Sequence, residues 1–449
     1  MQLIWFILLV STICVEGLGR KYLPQIPSVA FYLAKDVVLI LGLLLYRPAR
    51  DVVRTASRVF RGFKFAWALG FAWTVAELFN PDHKSTELGL LGLRAYWLWW
   101  LAPLVIATVL QREKHKRRAV YVLLTFAAGI SLFAAAQFAA PPDSALNLYS
   151  VVDGQEVYAS EATVSATGRA RVSSTFSYIS GFSAFTMLVP ALTLSIGLDA
   201  RDKKLRRMAL IATSMTAAVV PMSGSRASII TGAVILVVAA ATAGLFATRI
   251  GRRVMVGALA AVMLALAAFP DAFLGVQSRF DAGEETSSRY MLGVANLLPP
   301  LAMVTFDYPP FGIGTGMMQN ARIAMRIDTE WEAEVESQRY LIELGPGGYM
   351  VIWSLKLGLA MALLRAYLIL KRAGRRGASA AAMSYVVLTV VGSPTFDHIW
   401  QALYFLGCGF ILAEVTAVVR EQRAATLART TAALPALATR IGLAPEPAH

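Results

Sequence analysis

Apolar windows follow one another along almost the whole chain, and the basic residues fall in short runs at every second gap between them. About 20 consecutive apolar residues are needed to cross a bilayer as a helix. The windows lie near residues 2–18, 29–46, 65–79, 88–110, 119–138, 178–197, 208–222, 227–246, 254–269, 346–370, 378–392 and 399–418, which predicts an all-α polytopic membrane protein of about 12 transmembrane helices. The basic runs at 47–64, 112–118, 201–207, 249–253 and 371–376, and the tail from Arg420, each follow an even-numbered window. Because Lys and Arg are retained on the cytoplasmic side, one topology with both termini cytoplasmic satisfies all six runs.

Composition narrows the function classes. With 57% hydrophobic and 16% charged residues the chain is not a soluble enzyme with a large core. Its net charge of +14 is absorbed mostly by the runs that set topology, so nucleic acid is not an expected partner. Cys14 and Cys408 both lie in apolar windows and give no disulfide or zinc framework. The first 18 residues lack a basic leader region and carry Glu16, which predicts an uncleaved first span.

Residues 1–424 read as one membrane-embedded domain and 425–449 as a disordered cytoplasmic tail. Between Arg47 and Lys64 the positions Val52, Val59, Phe60 and Phe63 oppose Arg50, Arg54, Arg58 and Arg61, the pattern of an interfacial amphipathic helix. Two connections on the outer side are long. Residues 139–177 carry charges among Ser, Ala and Thr and read as a solvated loop. Residues 270–345 are too long for a structureless loop in a compact protein. Amphipathic helices over Ser287–Leu298 and Asn320–Leu344, joined through the turn-rich Pro309–Gly316, predict a helical lid.

Arg226 interrupts the otherwise nearly uncharged stretch from Met208 to Thr248, within Pro221-Met222-Ser223-Gly224-Ser225-Arg226. An ionisable group at a membrane face either anchors a helix end or serves a site. Arg279 and Arg289 lie in the outer loop, where topology gives no reason for arginine, and together with Arg226 they are candidates to hold an anionic headgroup. Arg322 and Arg326 in the same loop read as solvated ion-pair partners.

Gly312-Ile313-Gly314-Thr315-Gly316 follows Pro309-Pro310 without a strand before it, so it is not a dinucleotide loop. Glu330, Glu332, Glu334 and Glu336 alternate along the chain; on a helix such residues point about 200° apart, and no metal site is expected from them. Glu16 and Arg94 are expected to pair with each other or line a cavity. Asp397-His398 reads as a capping or hydrogen-bonding pair in preference to an acid/base pair.

Four segments in this order resemble the O-antigen ligase and polysaccharide polymerase superfamily: Ser223-Gly224-Ser225-Arg226 opening a span, Ser288-Arg289, Pro309-Pro310-Phe311-Gly312-Ile313-Gly314, and Tyr340-Leu341-Ile342-Glu343-Leu344-Gly345-Pro346-Gly347. Glu16-Gly17-Leu18-Gly19-Arg20-Lys21-Tyr22 is similar to a stretch of exopolysaccharide-polymerase-like members. The resemblance covers roughly residues 205–370. It implies a GT-C type glycosyltransferase of the bacterial inner membrane, without metal or other cofactor, that polymerises undecaprenyl-pyrophosphate-linked repeat units at the periplasmic face.

Arg226 and Arg289 would then be the phosphate-binding arginines, and Glu336 the general base where ligases carry a histidine. Arg279, Arg339, Ser225 and Tyr340 would bind substrate. The implied partners are the lipid-linked donor, a glycan acceptor, the bilayer and other polysaccharide assembly and export proteins. Two alternatives are ligation of the glycan to another acceptor and transport of lipid or polysaccharide. Transport would be marked by internal repeats and midplane charges, whereas the candidate charges here gather at the outer face.

Overall fold

The computed structural model describes residues 1–152, 155–247, 267–281, 297–319, 321–333, 335–392 and 397–440, with isolated positions between 256 and 295. The helices are α1 (Gln2–Tyr22), α2 (Ser28–Leu45), α3 (Arg50–Val59), α4 (Lys64–Ala76), α5 (Thr86–Trp97), α6 (Ala102–Val109), α7 (Glu113–Ala139), α8 (Ala159–Ala162), α9 (Ile179–Asp199), α10 (Lys203–Ala218) and α11 (Arg226–Thr242). They continue as α12 (Pro270–Asp281), α13 (Pro299–Thr305), α14 (Ala321–Ala324), α15 (Glu336–Arg372), α16 (Arg376–Val391) and α17 (His398–Arg440). One antiparallel hairpin, β1 (Leu148–Val152) with β2 (Gln155–Tyr158), stands between α7 and α9.

Among the described residues, seven helical stretches are long and apolar enough to cross a membrane: α1, α2, Thr86–Val109 through α5 and α6, α7, α9, α15, and α17 as far as Thr431. The chain is thus an all-α, multi-pass membrane protein. Shorter apolar helices, α11 and α16, occupy two more of the expected windows, and α4 and α10 another two. The window 254–269 lies largely outside the described residues.

Burial sorts the helices by position. The apolar windows of α17 and α9 are 89% and 78% buried, which makes these two the interior of the bundle, whereas α2 is 22% buried. Val37, Ile40, Leu41, Leu44 and Leu45 of α2 are exposed apolar side chains, as expected of a peripheral helix against lipid. The main core joins Phe6, Leu9 and Ile13 of α1, Ile106 of α6, Phe182 and Phe185 of α9, and Tyr404 and Phe405 of α17. Small residues permit close helix approach: a Cβ on Gly409 would lie 2.6 Å from the Ile106 side chain.

The basic connections meet one another. Arg117 of the 112–118 run pairs with Asp202 of the 201–207 run at 2.7 Å, and Arg375 with Glu421 at 2.7 Å. Arg420 and Arg423 pair with Asp51 at 3.2 and 3.7 Å, and Lys116 pairs with Glu414. Five of the six expected runs therefore gather on linked elements, and the sixth, 249–253, lies outside the described residues. The amphipathic segment is α3, which buries Val52, Thr55 and Val59.

Several expectations are corrected. Asn320–Leu344 is not one helix: α14 ends at Ala324, Ile327–Ala333 is irregular, and α15 begins at Glu336. The chain between carries Pro-free but polar sequence whose apolar residues, Ile327, Trp331 and Ala333, pack on Ile313, Met317 and Ile342 without helical geometry. A break at Gly345 divides α15, so the part that begins at Pro346 matches the expected start of the tenth span and Glu336–Leu344 forms a separate helical stretch before it. The tail is helical through Arg440, continuing α17 beyond the expected boundary at 425.

Residues 139–177 are not wholly a solvated loop, because Ser173, Ser174, Thr175 and Phe176 are buried against α1. There the Leu18 amide donates to Thr175 O at 3.2 Å and the Thr175 hydroxyl donates to Cys14 O at 2.5 Å. A Cβ on Gly17 would stand 2.0 Å from the Phe176 carbonyl carbon. Gly17→Ala is therefore expected to lower stability by about 1–3 kcal/mol through overpacking. Gly129→Ala, in open space within α7, should be neutral or stabilising. Thermal unfolding of the two variants in detergent checks this, and equal midpoints would refute the packing argument.

Candidate functional site

The turn before Arg226 is built by sequence that cannot continue a helix. After α10 the chain makes a 3₁₀ turn over Val220–Ser223 and enters the left-handed region at Gly224, φ 62°. Glycine is needed there twice over, for the backbone angle and because a Cβ would lie 2.8 Å from Arg171 Nε. Ser225 then caps α11, its hydroxyl accepting the Ser228 amide at 3.4 Å, and Arg226 is the first residue of the helix.

Arg171 arrives from the segment that follows the hairpin. Its Nε donates to Ser223 O at 3.3 Å, and the Val172 amide donates to Met222 O at 3.1 Å. Two arginines distant in sequence thus stand at one helix N-terminus, a setting that favours an anion. Sequence reasoning missed Arg171 because it was grouped with the loop charges. Its neighbour Arg169 does behave as such a charge, pairing with Asp271 at 3.1 Å.

A second group forms on the first turns of α15. Glu336 is 1% exposed; its Oε1 accepts from the Tyr340 hydroxyl at 2.8 Å and its Oε2 from Lys356 Nζ at 3.1 Å. Arg339, also buried, pairs through Nε with Glu343 Oε1 at 3.1 Å and lies over the Tyr96 ring. Glu343 further accepts from the Tyr96 hydroxyl at 2.8 Å and from the Met318 amide at 2.8 Å. The structure so brings together Glu336, Arg339 and Tyr340, while Ser225 and Arg226 belong to the turn on α11.

The glycine-rich segment has a structural task beside this group. α15 is interrupted at Gly345, φ 65° and ψ 177°, ahead of Pro346. Pro346 has no amide hydrogen to offer Ile342 O, four residues back. The Ile313 amide supplies it at 2.9 Å, the Gly314 amide serves Glu343 O at 3.1 Å, and Trp73 Nε1 serves Leu344 O at 3.2 Å. Gly312, Gly314 and Gly316 all have positive φ, and Gly316 packs on Gly92 of α5 where any Cβ would collide.

A third group lies between α1, α2, α5 and the start of α17. Glu16 pairs with Lys35 at 2.5 Å, and Arg94 with Asp36 at 2.9 Å, so the expected partnership of Glu16 with Arg94 is replaced by two separate pairs. Trp99 Nε1 donates to Asp36 at 2.8 Å. His398 bonds the Tyr32 hydroxyl and stands 3.4 Å from Arg94. Asp397 caps α17 by accepting the Ile399 and Trp400 amides at 2.8 and 2.9 Å, the capping role expected of it. Lys35 and Asp36 were overlooked, although adjacent opposite charges inside an apolar window are themselves a signal of buried pairing.

An open cleft is lined by Trp73, Glu77, Phe79, Asn80, Phe311 and Gly347, among others. Within it the Asn80 amide donates to Glu77 Oε2 at 2.8 Å and to Gly312 O at 3.2 Å. Among the described residues no group of three His, Cys, Asp or Glu side chains is placed to hold a metal ion. Arg289 lies outside the described residues, as does the Arg279 side chain. No protein-family model matches the chain, and no curated protein matches it at a significant level.

Proposed function

We propose that the chain is a GT-C type glycosyltransferase of about 12 spans that polymerises undecaprenyl-pyrophosphate-linked repeat units at the periplasmic face of the bacterial inner membrane. The observation that carries the reading is the placement of Arg171 beside Arg226 at the N-terminus of α11. Fixed guanidinium groups at a helix start stabilise charge developing on a departing pyrophosphate, and preorganised electrostatics of this type is usually the largest catalytic term.

In this mechanism the acceptor hydroxyl oxygen attacks the anomeric carbon of the donor. The bond from that carbon to the phosphate oxygen breaks, its electron pair leaves with the lipid pyrophosphate, and configuration inverts. Glu336 receives the hydroxyl proton. Arg226, Arg171 and Arg289 hold the pyrophosphate, and the outer loop together with the Trp73–Phe311 cleft positions the glycans. Arg339 and Tyr340, buried around Glu336 and Glu343, act as positioning residues.

The decisive experiment incubates the purified protein with lipid-linked repeat units, without nucleotide. A ladder of longer glycans is expected, and its absence with intact donor overturns the reading. Orientation is checked by cysteine labelling. Gln155→Cys and Glu161→Cys should react with an impermeant reagent in spheroplasts, and Lys114→Cys and Lys204→Cys only after lysis. The reverse pattern would put the Arg226 turn on the cytoplasmic side and remove the proposed donor.

A further inference from the structure

We propose that Lys21 is a further cationic ligand of the Arg226 site, its ammonium contacting a pyrophosphate group. This rests on the reading above and adds a residue to that same site. Lys21 ends α1 and is 2% exposed. Its Nζ donates to Ser173 Oγ at 2.6 Å. Among the described residues no carboxylate lies within ion-pair distance of it, and the hydroxyl answers only one of three ammonium donors.

Among the described residues the other deeply buried lysine and arginine are compensated. Lys35, 1% exposed, has Glu16 at 2.5 Å, and Arg339, 2% exposed, has Glu343 at 3.1 Å. Glu16 is the nearest acid in sequence to Lys21, but it is committed to Lys35 and, at 3.8 Å, to Arg20. Arg20 adds positive charge beside Lys21 and holds Ser177 Oγ at 3.1 Å. A lysine kept out of water without a counter-charge gives up its proton or gains several kcal/mol from an anion, and an anion binding there holds it as the ammonium.

Location identifies the anion. Ser173 is two residues from Arg171, whose guanidinium crosses Gly224, and the residue between them is hydrogen-bonded to Met222. Lys21 of α1 therefore contacts the same short segment that carries Arg171 to the Ser223–Arg226 turn. One phosphate on the arginines and its neighbour on the lysine would use all the charges, which is the demand of a diphosphate and exceeds that of a carboxylate or a single phosphate ester.

The test uses the full chain purified in detergent, with inorganic pyrophosphate and farnesyl diphosphate as probes, read by calorimetry and by thermal midpoint. Wild type should bind at least one probe, and Lys21→Met should bind it at least tenfold more weakly. Without probe the variant should melt at or above the wild-type temperature, since an uncompensated buried charge has been replaced by an apolar chain. Equal binding of both probes assigns a free diphosphate, and binding of the farnesyl compound alone assigns a lipid headgroup; either supports the proposal. Wild-type affinity in Lys21→Met, or a lowered midpoint with unchanged affinity, overturns it, and Lys21→Gln serves if the methionine variant does not accumulate. Loss of probe binding in a protein that never elongates glycans would sink the polymerase reading and leave the anion site standing; elongation with Lys21→Met binding intact does the opposite.

Discussion

Arg226→Ala is expected to abolish elongation of lipid-linked glycans while the protein inserts and accumulates at the wild-type level. Insertion is expected to survive because α11 is capped by Ser225, and the turn is fixed by Gly224, by the Val172 amide on Met222 O and by Arg171 on Ser223 O. Losing one donor to the developing charge costs about 10²–10³ in turnover at comparable sites. Arg226→Lys should recover little, since a point charge does not reproduce a planar fork. Product ladders from membranes carrying each variant measure this, and near-normal glycans from the alanine variant would reduce Arg226 to a helix anchor.

Glu336→Gln is expected to lower turnover by about 10²-fold or more with donor binding retained, if the carboxylate takes the proton. Its burial supplies a competing account, in which Glu336 merely compensates Lys356. A double variant separates them. Breaking a buried pair by one partner costs about 3–5 kcal/mol, whereas replacing both can be neutral. Glu336→Gln with Lys356→Met should therefore stay inactive if Glu336 is the base, and should regain both accumulation and activity if the pair is structural. Glu330→Gln and Glu332→Gln, exposed positions in the irregular stretch before α15, are expected to leave turnover unchanged.

The membrane helices were legible because apolar length and basic punctuation are one-dimensional signals. So was the break between spans at Arg226, an isolated charge in a long apolar stretch and the first residue of α11. What joined it there was not legible: Arg171 reaches the turn from a segment whose residues 172–176 are buried, and burial of Ser173–Thr175 leaves no hydropathy signature. The false helix over Asn320–Leu344 has a related cause. Apolar residues at helical spacing appeared there because the segment packs on the Ile313–Met318 stretch, and periodicity alone does not distinguish a packed irregular chain from a helix. The pairing of Glu16 and Arg94 failed because Lys35 and Asp36 were hidden inside a window that averages as apolar.

The interruption at Gly345-Pro346 carries a consequence for how such a protein can change. By withholding one amide hydrogen, Pro346 leaves a vacancy in the helix that the Ile313 amide, from outside it, fills. The helix therefore specifies a docking address for the outer loop, and the glycines at 312, 314 and 316 are the part of the loop that reads it. Upstream, Ala302 and Phe306 at α13 are buried with Tyr340 and Leu341 of α15, so the loop is held to one helix at two points and a change of length between them has to be absorbed within residues 307–311.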